Sequence, residues 1–345
     1  MITVSTSTIR PGRVTLRKTI VACLVLLVGL FAGIVIASLL GSERLPPGSS
    51  VCALASFGSN HCGLTTDQFE ILFQIRLPRI LLAAAVGGAL ATAGASYQSL
   101  LRNPLAEPYL LGVSNGAAVG TMLALLFFGQ YNWSRPVLAF AGALLATLVV
   151  YRLASGRVGA SPERLILSGV IVTTFLSSVI VFVTTLMDAT RIRSFTFWLL
   201  GDLSGASRNL LPLALTITII GVVVLCLNAR SLNLLMLGER DAFDLGVEVG
   251  RVRIIVFVVA SLLVGSSVAA SGSVGYVGLV VPHLARLSLG SDNRINIPAA
   301  ALGGALFVIV ADTLARFIIA PRELPVGAIT ALIGAPLFIY LLKRA

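Results

Sequence analysis

Long apolar runs alternate with short polar segments along almost the whole chain. A helix needs about 20 predominantly apolar residues to cross the roughly 30 Å of hydrocarbon in a bilayer. Reading each run between its flanking Pro, Gly and charged residues predicts about ten helices. We place them at residues 20–40, 77–101, 109–129, 136–153, 165–187, 210–227, 252–271, 276–289, 296–317 and 325–342. The pattern predicts an all-α polytopic membrane protein, in which the short eighth helix breaks within the membrane.

Composition agrees with the hydrophobic pattern. Of the 345 residues, 57% are hydrophobic and 11% are charged, whereas a soluble domain carries about 25% charged residues. The first apolar run exceeds the roughly 7 to 15 apolar residues of a signal peptide, so we interpret it as a retained helix. We expect residues 1–18 to form a cytoplasmic N-terminal tail and residues 19–345 to form a single transmembrane domain.

The basic residues indicate the orientation of the chain. The formal net charge is +11, but the Lys and Arg residues are spread among the polar segments and form no single patch. This distribution argues against a nucleic-acid partner. More of the 25 Lys and Arg residues lie in the segments on the side of the N-terminus than in those on the opposite side. The positive-inside rule then predicts that both termini are cytoplasmic.

Two of the four cysteines lie in the polar segment between the first two helices. The charge bias places this segment outside, where a disulfide between Cys52 and Cys62 is chemically permitted. A metal site including the neighbouring His61 is the alternative, but it lacks two further ligands. We therefore predict a possible disulfide and no metal site.

Several short motifs recur in order along the rest of the chain. They are Ile75–Arg79, Asn103–Pro108, Leu111–Gly116, Leu237–Arg240, Asp244–Gly246, Gly272–His283 with Arg286, Ala311–Asp312, Ala315–Arg316, Glu323–Pro325 and Gly334–Pro336. Their order and spacing over residues 70–345 resemble the FecCD-type permease family, which serves importers of iron chelates, haem and cobalamin.

The resemblance implies the fold of an ABC type II importer permease in a bacterial inner membrane. Its expected partners are a second copy of the chain, two cytoplasmic ATPase subunits, a periplasmic substrate-binding protein and membrane lipid. The sequence contains no Gly-x-x-x-x-Gly-Lys-Ser/Thr phosphate loop. We therefore expect a transport subunit that is not itself an enzyme and binds no cofactor, with ATP and Mg²⁺ used by the partner ATPase.

A charged segment between the sixth and seventh helices is the candidate contact with the ATPase. Its acidic and basic residues flank apolar ones, which predicts a short amphipathic helix. In the family this position holds the coupling helix, whereas an ordinary solvated loop is the alternative. The candidate residues are Gly238, Glu239, Arg240, Phe243, Leu245 and Gly246.

Three arginines are candidates for docking the binding protein. Arg76 and Arg79 flank Pro78 where the second helix begins on the outer side, and Arg316 ends the ninth helix. The resemblance suggests that they face acidic residues of the binding protein, so we expect them to be exposed at the membrane interface. The alternative is that they anchor helix ends to lipid headgroups.

The fifth helix carries a stripe of hydroxyl groups at Thr173, Thr174, Ser177 and Ser178. Residues four apart share one face of a helix. In the family this helix lines the translocation path, so the stripe is a candidate path wall. Hydrogen bonding between helices is the alternative.

The inner gate of the family is formed by the Asn-Pro-Leu turn and by the loop before the fifth helix. The matching residues are Asn103, Leu105, Ser161, Pro162 and Glu163. Pro162 and Glu163 depart from the small hydroxyl residues of the family at this position.

An ion-coupled secondary transporter is the alternative function. Such a protein needs an ionisable group inside the bundle. Asp312 is the only acidic residue well inside a predicted helix, and Arg316 follows four residues later, where it can neutralise the carboxylate. An intramembrane enzyme is disfavoured because no catalytic constellation is present. The carried chelate stays open among cobalamin, haem and an iron siderophore, with a slight preference for cobalamin.

Overall fold

The structure is a computed structural model that describes residues 16–41, 43–131, 133–156, 159–205, 210–320 and 322–344. The α-helices are α1 (Leu16–Leu39), α2 (Pro47–Ala55), α3 (Thr66–Glu70), α4 (Leu77–Leu100), α5 (Val113–Phe127), α6 (Ser134–Ala154), α7 (Pro162–Thr184), α8 (Ala189–Leu199), α9 (Leu210–Leu227), α10 (Ala229–Leu237), α11 (Glu239–Asp244), α12 (Val249–Ser271), α13 (Val277–Leu289), α14 (Asn293–Phe317) and α15 (Val326–Arg344). A π-helical turn, Ile71–Arg76, leads into α4, and a 3₁₀ turn, Pro108–Leu111, precedes α5. Two-residue strands, β1 (Ser155–Gly156) and β2 (Gly159–Ala160), pair antiparallel.

The predicted all-α membrane fold is confirmed. Within the described residues, seven helices are long and apolar enough to cross a membrane, and three shorter apolar helices, α5, α13 and α15, accompany them. These are the ten predicted runs; α9 has the predicted bounds, and the others differ at one or both ends. For example, α1 begins at Leu16, inside the predicted N-terminal tail. Residues 1–15 of that tail lie outside the described residues.

The third predicted helix is shorter than expected at its start. Pro108 begins a 3₁₀ turn, and Gly112 then adopts a left-handed φ of 76°, which separates this turn from α5. A left-handed backbone suits glycine because it has no Cβ. The helix therefore begins at Val113 and not at the predicted residue 109.

Helix α4 lies at the centre of the bundle and packs against α9, α12, α13 and α14. Its interior positions are mostly glycine and alanine, and nearly all of them are buried. A Cβ atom on Gly87 would overlap the carbonyl oxygen of Gly304 in α14, and one on Gly94 would overlap the carbonyl oxygen of Gly278 in α13. Small residues thus let these backbones touch, as in other membrane bundles.

Contacts between helices define two ends of the bundle. At the arginine end, Arg76 and Arg316 reach the C-terminus of α1. At the opposite end, the α11 end, α11 pairs with the start of α12 through Glu239 and Arg253. Asn233 of α10 bonds there to Asp292, which caps α14.

The segment between α1 and α4 forms a small unit of its own at the arginine end. The Sγ atoms of Cys52 and Cys62 are bonded to each other. Beneath them, Leu45, Ala53 and Leu72 form a buried cluster that is separate from the main core. The structure thus contains the disulfide that the sequence left open.

Candidate functional site

Helix α11 projects from the bundle as a six-residue helix between two glycines with positive φ. Gly238 has φ 140° and Gly246 has φ 83°, backbone conformations that other residues rarely adopt. Ala242 is buried against the bundle, whereas Phe243 is 72% exposed and Leu245 is 60% exposed. The helix therefore presents two large apolar side chains away from its own protein.

An ion pair fixes α11 to the bundle. Arg253 Nη2 of α12 donates to Glu239 Oε1, and the Arg253 side chain is nearly buried. Arg240, by contrast, is exposed beside Phe243. The predicted coupling residues thus divide into an anchor to α12, Glu239, whose side chain is 42% exposed, and an exposed surface formed by Arg240, Phe243 and Leu245.

The three arginines at the other end are buried, so the expectation that they are exposed is wrong. Arg76, Arg79 and Arg316 are 4%, 7% and 6% exposed. Arg79 Nη2 lies 2.9 Å from Asp312 Oδ1, and Arg316 Nε lies 3.0 Å from Asp312 Oδ2. Arg79 Nη1 also reaches Glu323 Oε2 at 2.8 Å. The physical reason is that α4 and α14 pack side by side and bring one buried carboxylate between two guanidinium groups.

Arg76 satisfies backbone groups instead. Its Nη1 donates to the carbonyl oxygens of Ser38 and Leu39 at 2.9 and 3.3 Å, and its Nη2 donates to that of Glu43. The last carbonyls of a helix have no partner within the helix, and a cation there also complements the helix dipole. Arg76 therefore caps α1, and its docking role stays a prediction.

The hydroxyl stripe of α7 divides between two environments. Thr174 and Ser178 are exposed, and their hydroxyls donate to carbonyls of their own helix, those of Val170 and Thr174, at 2.9 and 3.1 Å. Asn115 Nδ2 of α5 donates to the Thr173 carbonyl at 3.0 Å and to Ser177 Oγ at 2.8 Å. Bonding between helices, the alternative from the sequence, thus holds for the Ser177 hydroxyl, whereas the buried Thr173 Oγ1 has no hydrogen-bond partner among the described residues.

The first predicted gate element is a tight turn. Asn103 Oδ1 accepts a hydrogen bond from Leu105 N at 2.9 Å, and the Leu105 side chain is 45% exposed. An Asn that bonds the backbone two residues on stabilises a turn. The turn therefore holds Leu105 outward.

The second predicted gate element begins α7. Ser161 is the N-cap, with its Oγ accepting from Arg164 N at 3.4 Å. Pro162 occupies the first turn, where no amide hydrogen is needed, and Glu163 places a negative charge at the positive end of the helix dipole. The departure from the family pattern is thus explained by helix initiation.

Comparison with known proteins identifies the family of this chain. The model of the FecCD transport family matches residues 25–344. This chain belongs to the FecCD transport family. It is 43% identical over 79% of its length to the cobalamin import system permease protein of Halobacterium salinarum, covering 73% of that protein. It is 40% identical over 80% of its length to the hemin transport system permease protein of Yersinia pestis, covering 84% of that protein.

A solved structure supports the same assignment. The fold matches an inward-facing conformation of a metal-chelate type ABC transporter with a TM-score of 0.81 and 30% sequence identity. The match covers 95% of this chain and all of the other. The all-α architecture of an ABC importer permease is therefore established for this FecCD chain.

Two family motifs far apart in the FecCD sequence meet in the structure. Tyr109 Oη donates to the Val274 carbonyl at 3.1 Å and accepts from Val274 N at 3.0 Å. Glu107 Oε1 accepts from Tyr276 N at 3.3 Å. Non-helical backbone at membrane depth needs such partners, because lipid offers none. The turn that carries Leu105 is thus bonded to the break between α12 and α13.

Sequence reasoning missed Glu107 and Tyr109 as functional residues. It predicted the break from the glycines before Pro282 but assigned it no role. Tyr276, with φ 66°, and Gly272, with φ 69°, mark the break in the structure. The one available signal was Glu107 itself, a carboxylate directly before a predicted helix.

Asp312 is removed as an ion-coupling candidate. Its side chain is 1% exposed and is bonded to Arg79 and Arg316 at once. Both oxygens of this carboxylate are already paired with a guanidinium group, so neither is left for a transported ion. The predicted neutralisation by Arg316 is confirmed, and Arg79 adds a second partner.

Proposed function

We propose that this chain is the transmembrane permease subunit of an ATP-driven importer that moves a metal chelate into the cytoplasm. The observation that carries the proposal is α11, which is fixed by the Glu239–Arg253 pair yet exposes Phe243 and Leu245. Large apolar side chains of this kind anchor protein interfaces. A helix that is rigidly held and apolar on its outer face suits the transfer of motion from an ATPase.

The α11 end then faces the cytoplasm, and both termini lie on that side of a bacterial inner membrane. Two ATPase subunits bind ATP and Mg²⁺, and this chain binds no cofactor. A second copy completes the path. The outward face of α7 supports this arrangement, because it carries large apolar side chains that a second copy could cover. Leu167, Ile171 and Phe175 are 61%, 56% and 67% exposed.

A route from α11 to the gate follows from the bonds within the chain. Arg253, which holds α11, belongs to α12, and α12 ends at Ser271. The break after Gly272 is bonded to Tyr109 and Glu107, on the same loop as Asn103 and Leu105. Movement of α11 relative to the bundle would therefore shift the gate turn through α12.

A periplasmic binding protein docks at the arginine end in this proposal. Because Arg76, Arg79 and Arg316 are held internally, their contribution is to fix the shape of the docking surface. The exposed carboxylate of Glu323, 46% exposed and bonded to Arg79, links the buried cluster to that surface. Exposed basic side chains on the same end, Arg44, Arg193 and Arg322, supply positive charge for acidic residues of the binding protein.

The chelate is identified by reconstituting the chain with its ATPase and binding protein in liposomes. The binding protein is loaded in turn with cobalamin, haem or a ferric siderophore, and ATP hydrolysis and uptake are measured. We expect one chelate to stimulate both, and we expect the Phe243→Ala variant to lose the stimulation. Uptake that continues without ATP and stops when the proton gradient is collapsed would instead indicate an ion-coupled transporter.

A further inference from the structure

Helix α1 packs tightly against the bundle only in its C-terminal half. A Cβ atom on Gly33 would overlap Leu306 of α14, and Arg316 donates to the Ala37 carbonyl. Toward its N-terminus, α1 separates from α13 and α14 and leaves a groove of about 900 Å³. We call this space the α1 groove. It is lined by Arg17, Lys18, Val21, Ala22, Val25, Leu26, Val281, Leu284, Ala285, Ser288, Leu289, Ala299, Gly303, Leu306, Phe307 and Val310.

The α1 groove is apolar along its length and basic at one end. Val25, Leu284 and Phe307 line its middle, whereas Arg17 and Lys18 are exposed at its mouth. Lys18 Nζ donates to the carbonyl oxygen of Leu289 at 3.0 Å, at the C-terminus of α13. The Lys18 side chain thus spans the mouth of the groove and reaches α13.

We propose that the α1 groove binds one anionic phospholipid, with an acyl chain along the groove and the phosphate at Arg17 and Lys18. The groove lies between membrane-spanning helices, where hydrocarbon is the surrounding solvent and water finds no polar partners. Basic side chains between helices at one membrane surface bind anionic headgroups. A second copy of this chain is a poorer match, since it carries 25 basic and 14 acidic residues.

The test measures which lipid stays on the full-length chain. The purified chain is equilibrated in detergent with phosphatidylglycerol and phosphatidylcholine of identical acyl chains, and retained lipid is counted by native mass spectrometry. Phosphatidylglycerol carries a net negative charge and phosphatidylcholine does not, so two nearby basic groups predict a preference for phosphatidylglycerol of about thirtyfold. We expect Arg17→Ala with Lys18→Ala to remove it. The matched control, Arg152→Ala with Lys343→Ala, removes one Arg and one Lys that are exposed at the ends of α6 and α15, and it should keep the preference.

A second pair of variants tests the groove without altering charge. Ala22 lines the groove, whereas Leu24 of the same helix does not line it and is 53% exposed. Ala22→Trp should obstruct the groove and displace the retained lipid, and Leu24→Trp should leave it bound.

Three results would overturn the proposal. They are equal retention of both lipids by the unaltered chain, equal loss in the charge variant and its control, and equal retention in the two Trp variants. Cross-linking of two chains through Val25→Cys, in a background with Cys23→Ser and Cys226→Ser, would also overturn it, because a second copy would then cover the groove.

Discussion

The two ends of the bundle differ in whether their predicted contact residues are bound within the chain or exposed. At the arginine end, Arg79 and Arg316 are buried around Asp312, and Arg76 caps α1. At the α11 end, one half-exposed ion pair joins α11 to α12, and Phe243 and Leu245 remain exposed.

This difference separates residues that hold the bundle together from residues that are available to a partner. A buried guanidinium is expensive to leave unpaired, so its partners are found within the chain. An exposed phenylalanine side chain adds little to the stability of its own chain. It contributes to the free energy of binding when a partner protein covers it. Charge and motif alone do not distinguish the two situations.

The largest expected effect comes from breaking the arginine end. Asp312→Asn leaves Arg79 and Arg316 buried without their shared carboxylate, and breaking a buried pair costs about 3–5 kcal/mol. Thermal unfolding of the detergent-purified chain should show the loss. Glu323→Gln is the control, since its carboxylate is 46% exposed and exposed pairs contribute about 0.2–1 kcal/mol. Equal destabilisation by both variants would contradict a structural role for the buried cluster.

The next largest effect is expected at the α11 end and concerns binding. Phe243→Ala should weaken association with the ATPase by about 2 kcal/mol or more, as for a central apolar anchor of an interface. The affinity of the ATPase for the reconstituted chain measures this, while thermal stability should stay unchanged.

Phe57→Ala is the control for that variant. Phe57 is 95% exposed but belongs to the segment at the arginine end. The Phe57→Ala variant should therefore bind the ATPase with unaltered affinity. An unaltered affinity in Phe243→Ala would end the role of α11 as the ATPase contact.

The contrast also shows what the sequence can and cannot predict. Runs of apolar residues predicted the ten apolar helices of the bundle, because the bilayer demands long apolar runs. The role of Arg76 was not predictable, since the carbonyls it caps belong to residues more than thirty positions earlier. The bond of Tyr109 to Val274 spans 165 positions. Pairings over such distances depend on how helices pack, which periodicity does not encode.

A variant of Tyr109 tests whether motion passes between the two ends of the bundle, because Tyr109 bonds to the break between α12 and α13. Tyr109→Phe leaves the Val274 amide and carbonyl without this partner, at a cost of about 1–3 kcal/mol for buried groups. Hydrogen exchange at the Val274 amide should accelerate, and transport should become less tightly coupled to ATP hydrolysis.

Tyr131→Phe is the matched control for this variant. Tyr131 is 46% exposed and lies between α5 and α6, away from the break. It should leave both exchange and coupling as they are. Faster exchange at Val274 with normal coupling would show that the bond stabilises the break but transmits no motion.

The smallest effect is expected within α7, where two adjacent serines repeat the comparison on one helix. Ser177 accepts from Asn115 of α5, so Ser177→Ala should cost about 0.6 kcal/mol, the average for a bond between membrane helices. Ser178 donates to the Thr174 carbonyl of its own helix, which is already part of the helix ladder, so Ser178→Ala should leave stability unchanged. If Ser178→Ala nevertheless slows uptake of the chelate and Ser177→Ala does not, the half of the stripe that bonds only within α7 lines the path. The reverse result would assign the stripe to helix packing alone.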